Sequence, residues 1–196
     1  MRAPREEREL FGLEGSDIER FSRVPPVFPK ITYDEAIVRL GLSWGDDISS
    51  KKEQELVHAM GGQPLFITRY PDPLWNHGKE IEVEKFFNML PDAAHPGRVL
   101  SADLILPIAG EAVGAAARVD DPIMLERRLT RSRMFRRLVE LGGNLDDFGW
   151  YIARIRERSV PHAGCGFGMA RIARWLHGSD DIKRAVTFAS NQYQII

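Results

Sequence analysis

The segment Ser159-Val160-Pro161-His162-Ala163-Gly164-Cys165-Gly166-Phe167-Gly168-Met169-Ala170-Arg171 decides the fold. Its middle has glycine at every second position, a pattern found in strands that pack closely or contain a bulge. An amphipathic segment follows without a loop and is closed by Gly178, which predicts a helix over about 169–177. Arg171 lies near the start of this helix, where the helix dipole disfavours a cation, and this favours a functional reason for the arginine.

The residues upstream predict several strands, with helices between and after them. Short apolar runs predict strands at 64–70, 85–90, 99–106 and 111–113. Capping boxes at Thr32–Glu35 and Ser50–Glu53 predict the starts of two helices, and Pro122 and Asn144 predict two more. A last short helix is expected over about 180–186. The helix from Pro122 is predicted to continue to Gly142-Gly143. Strands that follow one another this closely favour an α+β fold with an antiparallel sheet flanked by helices.

Length and composition describe one domain of ordinary globular character. The 196 residues are 43% hydrophobic, with 27 Lys and Arg against 28 Asp and Glu. A net charge of −1 gives no general attraction to nucleic acid, although a local basic patch is compatible with it. We predict a charged, proline-containing arm over 1–30 and one domain over 31–196. The single cysteine excludes an internal disulfide, and the lack of an apolar leader or membrane span leads us to expect a cytoplasmic protein.

Six segments, in this order and spacing, resemble the aspartyl/asparaginyl branch of the class II aminoacyl-tRNA synthetases. They are 28–37, 44–49, 64–71, 110–114, 159–164 and 166–171. The last two correspond to motif 3 of that family. Trp150-Tyr151 and Val160-Pro161-His162 favour the asparaginyl type or its stand-alone relatives, the archaeal asparagine synthetases. The resemblance implies the C-terminal half of a class II catalytic core.

The resemblance also implies a reaction and a set of site residues. The family couples an amino-acid carboxylate to the α-phosphate of ATP, so two anions must meet, and Mg²⁺ with carboxylate ligands and arginines make this favourable. By resemblance, Asp103 and Glu111 hold Mg²⁺, Arg118 meets the amino acid, and Arg171 lies on the nucleotide. Gly164, Gly166 and Gly168 keep side chains off the strand where ATP lies.

Elementary chemistry offers a plainer interpretation of each of these residues. Asp103 and Glu111 are also compatible with surface carboxylates, and Arg118 with a solvated ion pair to Asp120 or Asp121. Cys165 is expected to be a buried, inert thiol.

Strand geometry and charge raise two further questions. Residues seven apart on a regular strand face opposite sides, so a bulge or turn at Gly114 is required if Glu111 and Arg118 share a pocket. The basic run from Arg127 to Arg137 predicts a solvated helix face, with an RNA-contact patch as the alternative.

The sequence departs from the family in ways that bear on activity. Motifs 1 and 2, an upstream substrate-binding segment and an anticodon-binding domain are not found in these residues. Ala116-Ala117 replaces a polar pair before the substrate arginine, and Ala170 replaces an acid before the motif 3 arginine. Phe188-Ala189-Ser190 replaces the usual Phe-Pro-Arg. A pocket without its polar partners loses substrate recognition.

Two functions from different classes therefore remain. The first is ATP-dependent activation of aspartate or asparagine by an adenylate-forming ligase core, alone or completed by a partner chain, with tRNA as a further substrate. The second is an inactive paralogue that binds a nucleotide, an amino acid, tRNA or a protein. A homodimer or a partner chain is expected in either case, because the sheet would otherwise expose an edge.

Overall fold

A computed structural model describes residues 24–74, 81–83, 85–187, 190–191 and 194–195. Most of the predicted N-terminal arm, residues 1–23, and the Phe188-Ala189 departure lie outside these ranges. Lys30, the last residue assigned to the arm, already belongs to the first strand.

A five-stranded mixed sheet forms the centre of the structure. In spatial order its strands are β1 (Lys30–Thr32), β2 (Leu65–Thr68), β3 (Ser101–Leu106), β4 (Gly110–Arg118) and β5 (His162–Phe167). The pairings from β2 to β5 are antiparallel, as predicted, whereas β1 runs parallel to β2. The parallel pair is possible because two helices carry the chain from β1 back to the start of β2.

Six α-helices surround the sheet within the described ranges. They are α1 (Tyr33–Leu40), α2 (Ser50–Ala59), α3 (Pro122–Arg131), α4 (Arg133–Glu140), α5 (Gly149–Glu157) and α6 (Met169–His177). Shorter elements are 3-10 helices at Leu145–Phe148 and Ile182–Ala185 and a hairpin of β6 (Ser190–Asn191) and β7 (Gln194–Ile195). No helix of the described residues is both long and apolar enough to cross a membrane.

Capping explains where the first helices begin. The predicted capping box at α1 is confirmed, because the Glu35 amide donates to Thr32 Oγ1 over 3.2 Å and the Thr32 amide donates to Glu35 Oε2 over 2.7 Å. The second box was placed one residue too late: Ser49, not Ser50, accepts from the Lys52 amide. A serine pair leaves this choice open in the sequence.

Two predicted elements differ from the structure. The long helix from Pro122 breaks at Ser132, whose extended backbone ends α3 and whose Oγ accepts from the Phe135 amide over 3.0 Å, which caps α4. The strand predicted at 85–90 is irregular where it is described and makes one bridge, between Met89 and Arg118. Its chain turns at Phe87-Asn88, which prevents a longer ladder.

Apolar cores lie around the sheet. The largest includes the fully buried Tyr33, Leu56, Leu65, Ile67 and Ile105, which join α1 and α2 to the strands. A second core joins α3 and α5 around Leu125 and Leu129. In the third, Ile172 and Trp175 of α6 pack on Leu106 and Ala112. The direct connection of β5 to α6 is thereby fixed against β3 and β4.

A buried ion pair between Arg128 and Asp72 connects α3 to the loop that follows Pro71. Arg128 donates to both carboxylate oxygens of Asp72 over 2.9 Å and to the Phe87 carbonyl over 2.7 Å. Arg128 is 5% exposed and Asp72 is 5% exposed. The predicted basic face is therefore wrong at Arg128, which is a structural residue.

We expect Arg128→Met to lower the free energy of unfolding by roughly 3–5 kcal/mol, because it leaves the Asp72 carboxylate buried without its partner. Urea unfolding measures the change. Arg127→Met, at the exposed neighbouring position, is the control and should change stability by less than about 0.5 kcal/mol. Equal, small effects of the two substitutions would show that the pair does not stabilise the fold.

Candidate active site

A β-bulge in β4 determines which side chains share a face of the sheet. Leu104 pairs with Val113 and the next residue, Ile105, pairs with Glu111, so Ala112 is an extra residue in β4. The predicted irregularity between Glu111 and Arg118 is thus present, two residues before the expected position at Gly114. The bulge reverses the alternation of β4, and Glu111 and Arg118 line the same cavity.

Asp103 lies at the centre of this face as a buried carboxylate. It is 3% exposed and forms an ion pair with Lys85, whose Nζ also lies 3.8 Å from the centroid of the Tyr70 ring. Burial and the neighbouring Asp103 carboxylate raise the pKa of Tyr70 well above its usual value, so this phenol is neutral. The interpretation of Asp103 as a surface carboxylate is therefore wrong.

Two further carboxylates, Glu111 and Glu53, lie beside Asp103. Glu53, from α2, is 7% exposed and accepts the Glu111 amide over 3.2 Å. Burial raises the pKa of Glu53 to about 7, although the Glu111 amide opposes the rise. Burial and the charge of Asp103 also raise the pKa of Glu111. Both rises come first from burial, and the charge of Arg171 opposes them.

Gly114 has no side chain, and this leaves space beside the carboxylates of Glu111 and Asp103. A Cβ added to Gly114 would lie 3.0 Å from Glu111 Oε1 and 3.6 Å from Asp103 Oδ1. Among the described residues, no three His, Cys, Asp or Glu side chains converge as a metal centre. One or two carboxylates beside a phosphate-binding cavity are what Mg²⁺ uses when substrate phosphates complete its shell. Asp103 and Glu111 therefore fit Mg²⁺ held jointly with a phosphate.

Arg118 is held beside this cavity, not at the surface. Its Nη1 donates to Asn88 Oδ1 over 2.8 Å, so its partner is neither Asp120 nor Asp121. A Cβ on Gly164 would lie 3.2 Å from Arg118 Nε, which shows that the guanidinium rests on the glycine. An asparagine partner leaves the positive charge available to an anion.

The three motif 3 glycines have different surroundings. Gly166 has open space where a side chain would project, and Gly164 makes room for Arg118. Gly168 donates its amide to the Ala112 carbonyl over 2.7 Å, and a Cβ there would lie 3.3 Å from that oxygen. Gly166 and Gly168 line the cavity, whereas Gly164 lies against the Arg118 side chain that lines it.

Arg171 extends from the first turn of α6 to the bulge, where it donates to the Glu111 carbonyl. The position of Arg171 is unfavourable beside the helix dipole, but it places a cation near the carboxylates of Asp103 and Glu111.

The cavity that these residues share has a volume of about 590 Å³. Its lining includes Asp103, Glu111, Arg118, Gly166, Gly168 and Arg171. A smaller adjoining cavity of about 190 Å³ continues past Glu53 and Tyr70 to Ser49 and Ser50. Sequence reasoning missed Lys85, Tyr70, Glu53 and Asn88. Lys85 and Asn88 were assigned to a strand that does not form. Glu53 was interpreted as the glutamate of a capping box that begins at Ser50.

Cys165 is exposed, which corrects the expectation of a buried thiol. The reason is that β5 is the last strand of the described sheet, and most of its side chains are exposed.

Comparison with known proteins identifies the class to which this geometry belongs. The family of class II tRNA synthetases (D, K and N) matches residues 6–192. The chain is therefore a member of the class II tRNA synthetase family, and its mixed sheet with flanking helices is part of that catalytic core.

Several of the similar proteins are asparaginyl enzymes. An asparagine–tRNA ligase of Roseiflexus sp. (strain RS-1) is 34% identical over 191 residues, which are 91% of this chain and 39% of the relative. Asparaginyl-tRNA synthetase from Pyrococcus horikoshii, complexed with asparaginyl-adenylate, has a TM-score of 0.69 at 31% identity over 92% of this chain and 38% of its own. The Entamoeba histolytica enzyme with the same adenylate has a TM-score of 0.69 at 26% identity over 92% of this chain and 39% of its own. The chain spans about two fifths of the length of these relatives.

The raised pKa of Glu53 makes stability depend on pH. Unfolding returns the carboxyl to its usual pKa of 4.5, so between about pH 4.5 and pH 7 it releases a proton on unfolding. The free energy of unfolding should therefore fall as pH rises through this window, by roughly 2–3 kcal/mol from this group. Urea unfolding in buffer with EDTA measures it.

Glu53→Gln should remove most of this fall, because its amide oxygen still accepts the Glu111 amide but does not ionise. Glu55→Gln, on the exposed face of the same helix, is the control and should leave the fall unchanged. Parallel pH profiles of the wild type and Glu53→Gln would contradict the assignment.

Proposed function

We propose that this chain binds ATP with Mg²⁺ and an acidic or amide amino acid, as the core of an adenylate-forming ligase of the asparaginyl type. The observation that carries the proposal is the arrangement of two carboxylates and two arginines around one cavity, Asp103, Glu111, Arg118 and Arg171. The relatives, whose printed names are asparagine–tRNA ligases and two of whose structures hold asparaginyl-adenylate, support the substrate class.

In this proposal each side chain acts on a charge. Asp103 and Glu111 hold Mg²⁺, which neutralises the phosphates when it is bound. Arg171 binds the nucleotide, and its anchorage at the Glu111 carbonyl keeps it beside the metal ligands. Arg118 binds the substrate's anionic group and is oriented by Asn88 and Gly164. The reacting carboxylate and the α-phosphate are thereby brought together against their repulsion.

Lys85 gives the site a way to remain neutral before the cation binds. Its ammonium group forms an ion pair with Asp103 and lies over the Tyr70 ring, 3.8 Å from the ring centroid. Mg²⁺ on Asp103 would weaken this ion pair, and the ammonium could then meet a phosphate or the substrate carboxylate. Lys85 is thus a further anion-binding residue of the proposed site.

Calorimetry of Mg²⁺-ATP binding tests the nucleotide half of the proposal. We expect Glu111→Gln and Arg171→Ala each to weaken binding by about tenfold or more, because each removes a charged contact to the bound group. Glu140→Gln and Arg184→Ala, at exposed positions away from the cavity, are matched controls that should bind as the wild type does. Binding that is unaffected by Glu111→Gln and Arg171→Ala would refute the proposed site.

The alternative is a binding module without turnover, and Ala116 is the residue that favours it. Ala116 shares the face of Gly114 and Arg118 by the alternation of β4, but it is 4% exposed within the apolar core and carries only a methyl group where the family resemblance implies a polar side chain. ATP–pyrophosphate exchange with asparagine and with aspartate separates the two functions. Exchange that is lost in Arg118→Ala supports the ligase; nucleotide binding without exchange supports the module.

A further inference from the structure

A second cavity lies beside the candidate active site, where α3 meets α4. Its volume is about 520 Å³, which is the size of a site for a small organic molecule. Much of its wall is apolar and includes Leu74, Ile81, Val83, Phe86 and Met134. Four cationic side chains also line it, and these are Lys85, Arg131, Arg133 and Arg136. The lining therefore combines an apolar wall with positive charge, and it contains no carboxylate among the residues that the structure describes.

The break between α3 and α4 at Ser132 brings the arginines together. On a continuous helix, Arg131 and Arg133 would project about 160° apart, toward almost opposite faces. Ser132 is 7% exposed, donates to the Leu129 carbonyl over 2.7 Å and caps α4. Arg133 donates to the Ile81 carbonyl over 3.0 Å, so α4 is fixed to the apolar wall. The concentration of positive charge at the cavity is a consequence of this break, because a straight helix would disperse it.

Two of the four cations are available to an anion. Lys85 is already paired with Asp103. Arg131 and Arg136 are exposed, and neither has a carboxylate partner in the described part of the chain. The segment around them has an excess of positive charge, since 122–140 contains six arginines and two glutamates. A guanidinium binds a carboxylate or a phosphate through two parallel hydrogen bonds, so these arginines are suited to an oxyanion.

The uncharged polar groups of the wall limit what the rest of the ligand can be. Among the described lining residues, Ser132 has the only uncharged polar side chain. Its hydroxyl already donates to the Leu129 carbonyl and accepts from the Phe135 amide over 3.0 Å. Hydroxyl or amide groups on a ligand would therefore find no uncharged side chain to pair with, and leaving a buried polar group unpaired is unfavourable. The body of the ligand is expected to be apolar, which disfavours a sugar or a nucleotide.

Phe86 gives the wall a flat surface. Its side chain is 62% exposed, although it is large and apolar. Aromatic rings pack on one another in stacked or edge-to-face arrangements, which add to the gain from burying apolar area. An aromatic ring in the ligand would cover this exposed surface.

We propose that the cavity between α3 and α4 binds a small aromatic oxyanion, a ring that carries a carboxylate or a phosphate, with the oxyanion on Arg131 and Arg136 and the ring on Phe86. This site goes beyond the proposed function, because it requires neither ATP, nor Mg²⁺, nor an amino acid. Lys85 and Phe86 line the candidate active site as well, so the two cavities adjoin and binding at one has to be distinguished from binding at the other.

Calorimetric titration of the full chain in buffer with EDTA tests the site, with naphthalene-2-carboxylate and 2-naphthyl phosphate as probes. For a ligand of about 13 non-hydrogen atoms, we expect the carboxylate to bind with a Kd of about 0.1–1 mM. The probe that binds more tightly identifies the oxyanion. 2-Naphthamide, which has the same ring and no charge, should bind about tenfold more weakly or worse.

Substitutions separate the charged contact from the aromatic one. Arg131→Gln/Arg136→Gln should weaken binding of the anionic probes by about tenfold or more and leave that of 2-naphthamide unchanged, because it removes the charge. Phe86→Ala should weaken all three ligands by about threefold or more, because each places its ring on this side chain. The matched control, Arg39→Gln/Arg184→Gln, removes the same charge from exposed positions on α1 and on the second 3-10 helix and should bind as the wild type does. Urea unfolding verifies that each variant is folded.

Each of four results would overturn the proposal. No binding of either probe, or unchanged affinity in Arg131→Gln/Arg136→Gln, would show that the cavity is not an oxyanion site. An equal loss in the control pair would show general attraction by charge. A loss in Arg118→Ala as large as that in Arg131→Gln/Arg136→Gln would place the probes in the candidate active site. Displacement of the probes by AMP at the same concentration would identify a nucleotide site instead. Because the titrations contain neither ATP nor Mg²⁺, failure of the proposed nucleotide binding would leave this test intact.

Discussion

One extra residue in β4, Ala112, is the constraint on which the candidate active site depends. Without it the alternation of a strand would place Glu111 and Arg118 on opposite faces of the sheet. The bulge is secured from two directions: Glu53 of α2 accepts the Glu111 amide, and the Gly168 amide, at the junction of β5 and α6, donates to the Ala112 carbonyl. Backbone groups that the bulge removes from the ladder are thereby satisfied by residues that also shape the cavity.

The same arrangement is unfavourable for the isolated fold. Three carboxylates, Glu53, Asp103 and Glu111, lie with three cations around the two adjoining cavities, and burial raises the pKa of Glu53 and Glu111. Apolar residues in these places would be more stable, as is common for buried charges. Because burial disfavours the ionised forms of Glu53 and Glu111 in the empty site, a divalent cation held by Asp103 and Glu111 would stabilise the charged carboxylates there. This connects the electrostatics of the core to the proposed Mg²⁺ and phosphate chemistry.

Much of the fold could be predicted from the sequence, because its signals are local. The capping box at Thr32, the strand-to-helix segment at 162–177 and the central strands all follow from patterns of a few residues. Glu111 and Arg171 were singled out by the resemblance of short motifs to a family, and the structure places both of them on one cavity. Lys85, Asn88 and Glu53 were missed because their importance arises only when distant segments meet. Nothing in the neighbouring residues distinguishes Glu53, inside a helix, from an exposed glutamate such as Glu55.

The basic run on α3 and α4 shows most clearly what a linear pattern leaves open. Arg128 and Arg131 lie on the same helix and in the same basic run. Nevertheless, Arg128 is buried against Asp72, whereas Arg131 lines a cavity. Because they are three positions apart, these two residues lie only about 60° from each other around the helix axis, which is too little to predict that one is buried and the other lines a cavity. The difference comes from tertiary structure: Asp72, in a distant loop, pairs with Arg128, and the break at Ser132 ends α3 directly after Arg131. A run of arginines therefore does not show by itself which members are buried against a carboxylate and which line a cavity, because the partners come from segments distant in the sequence.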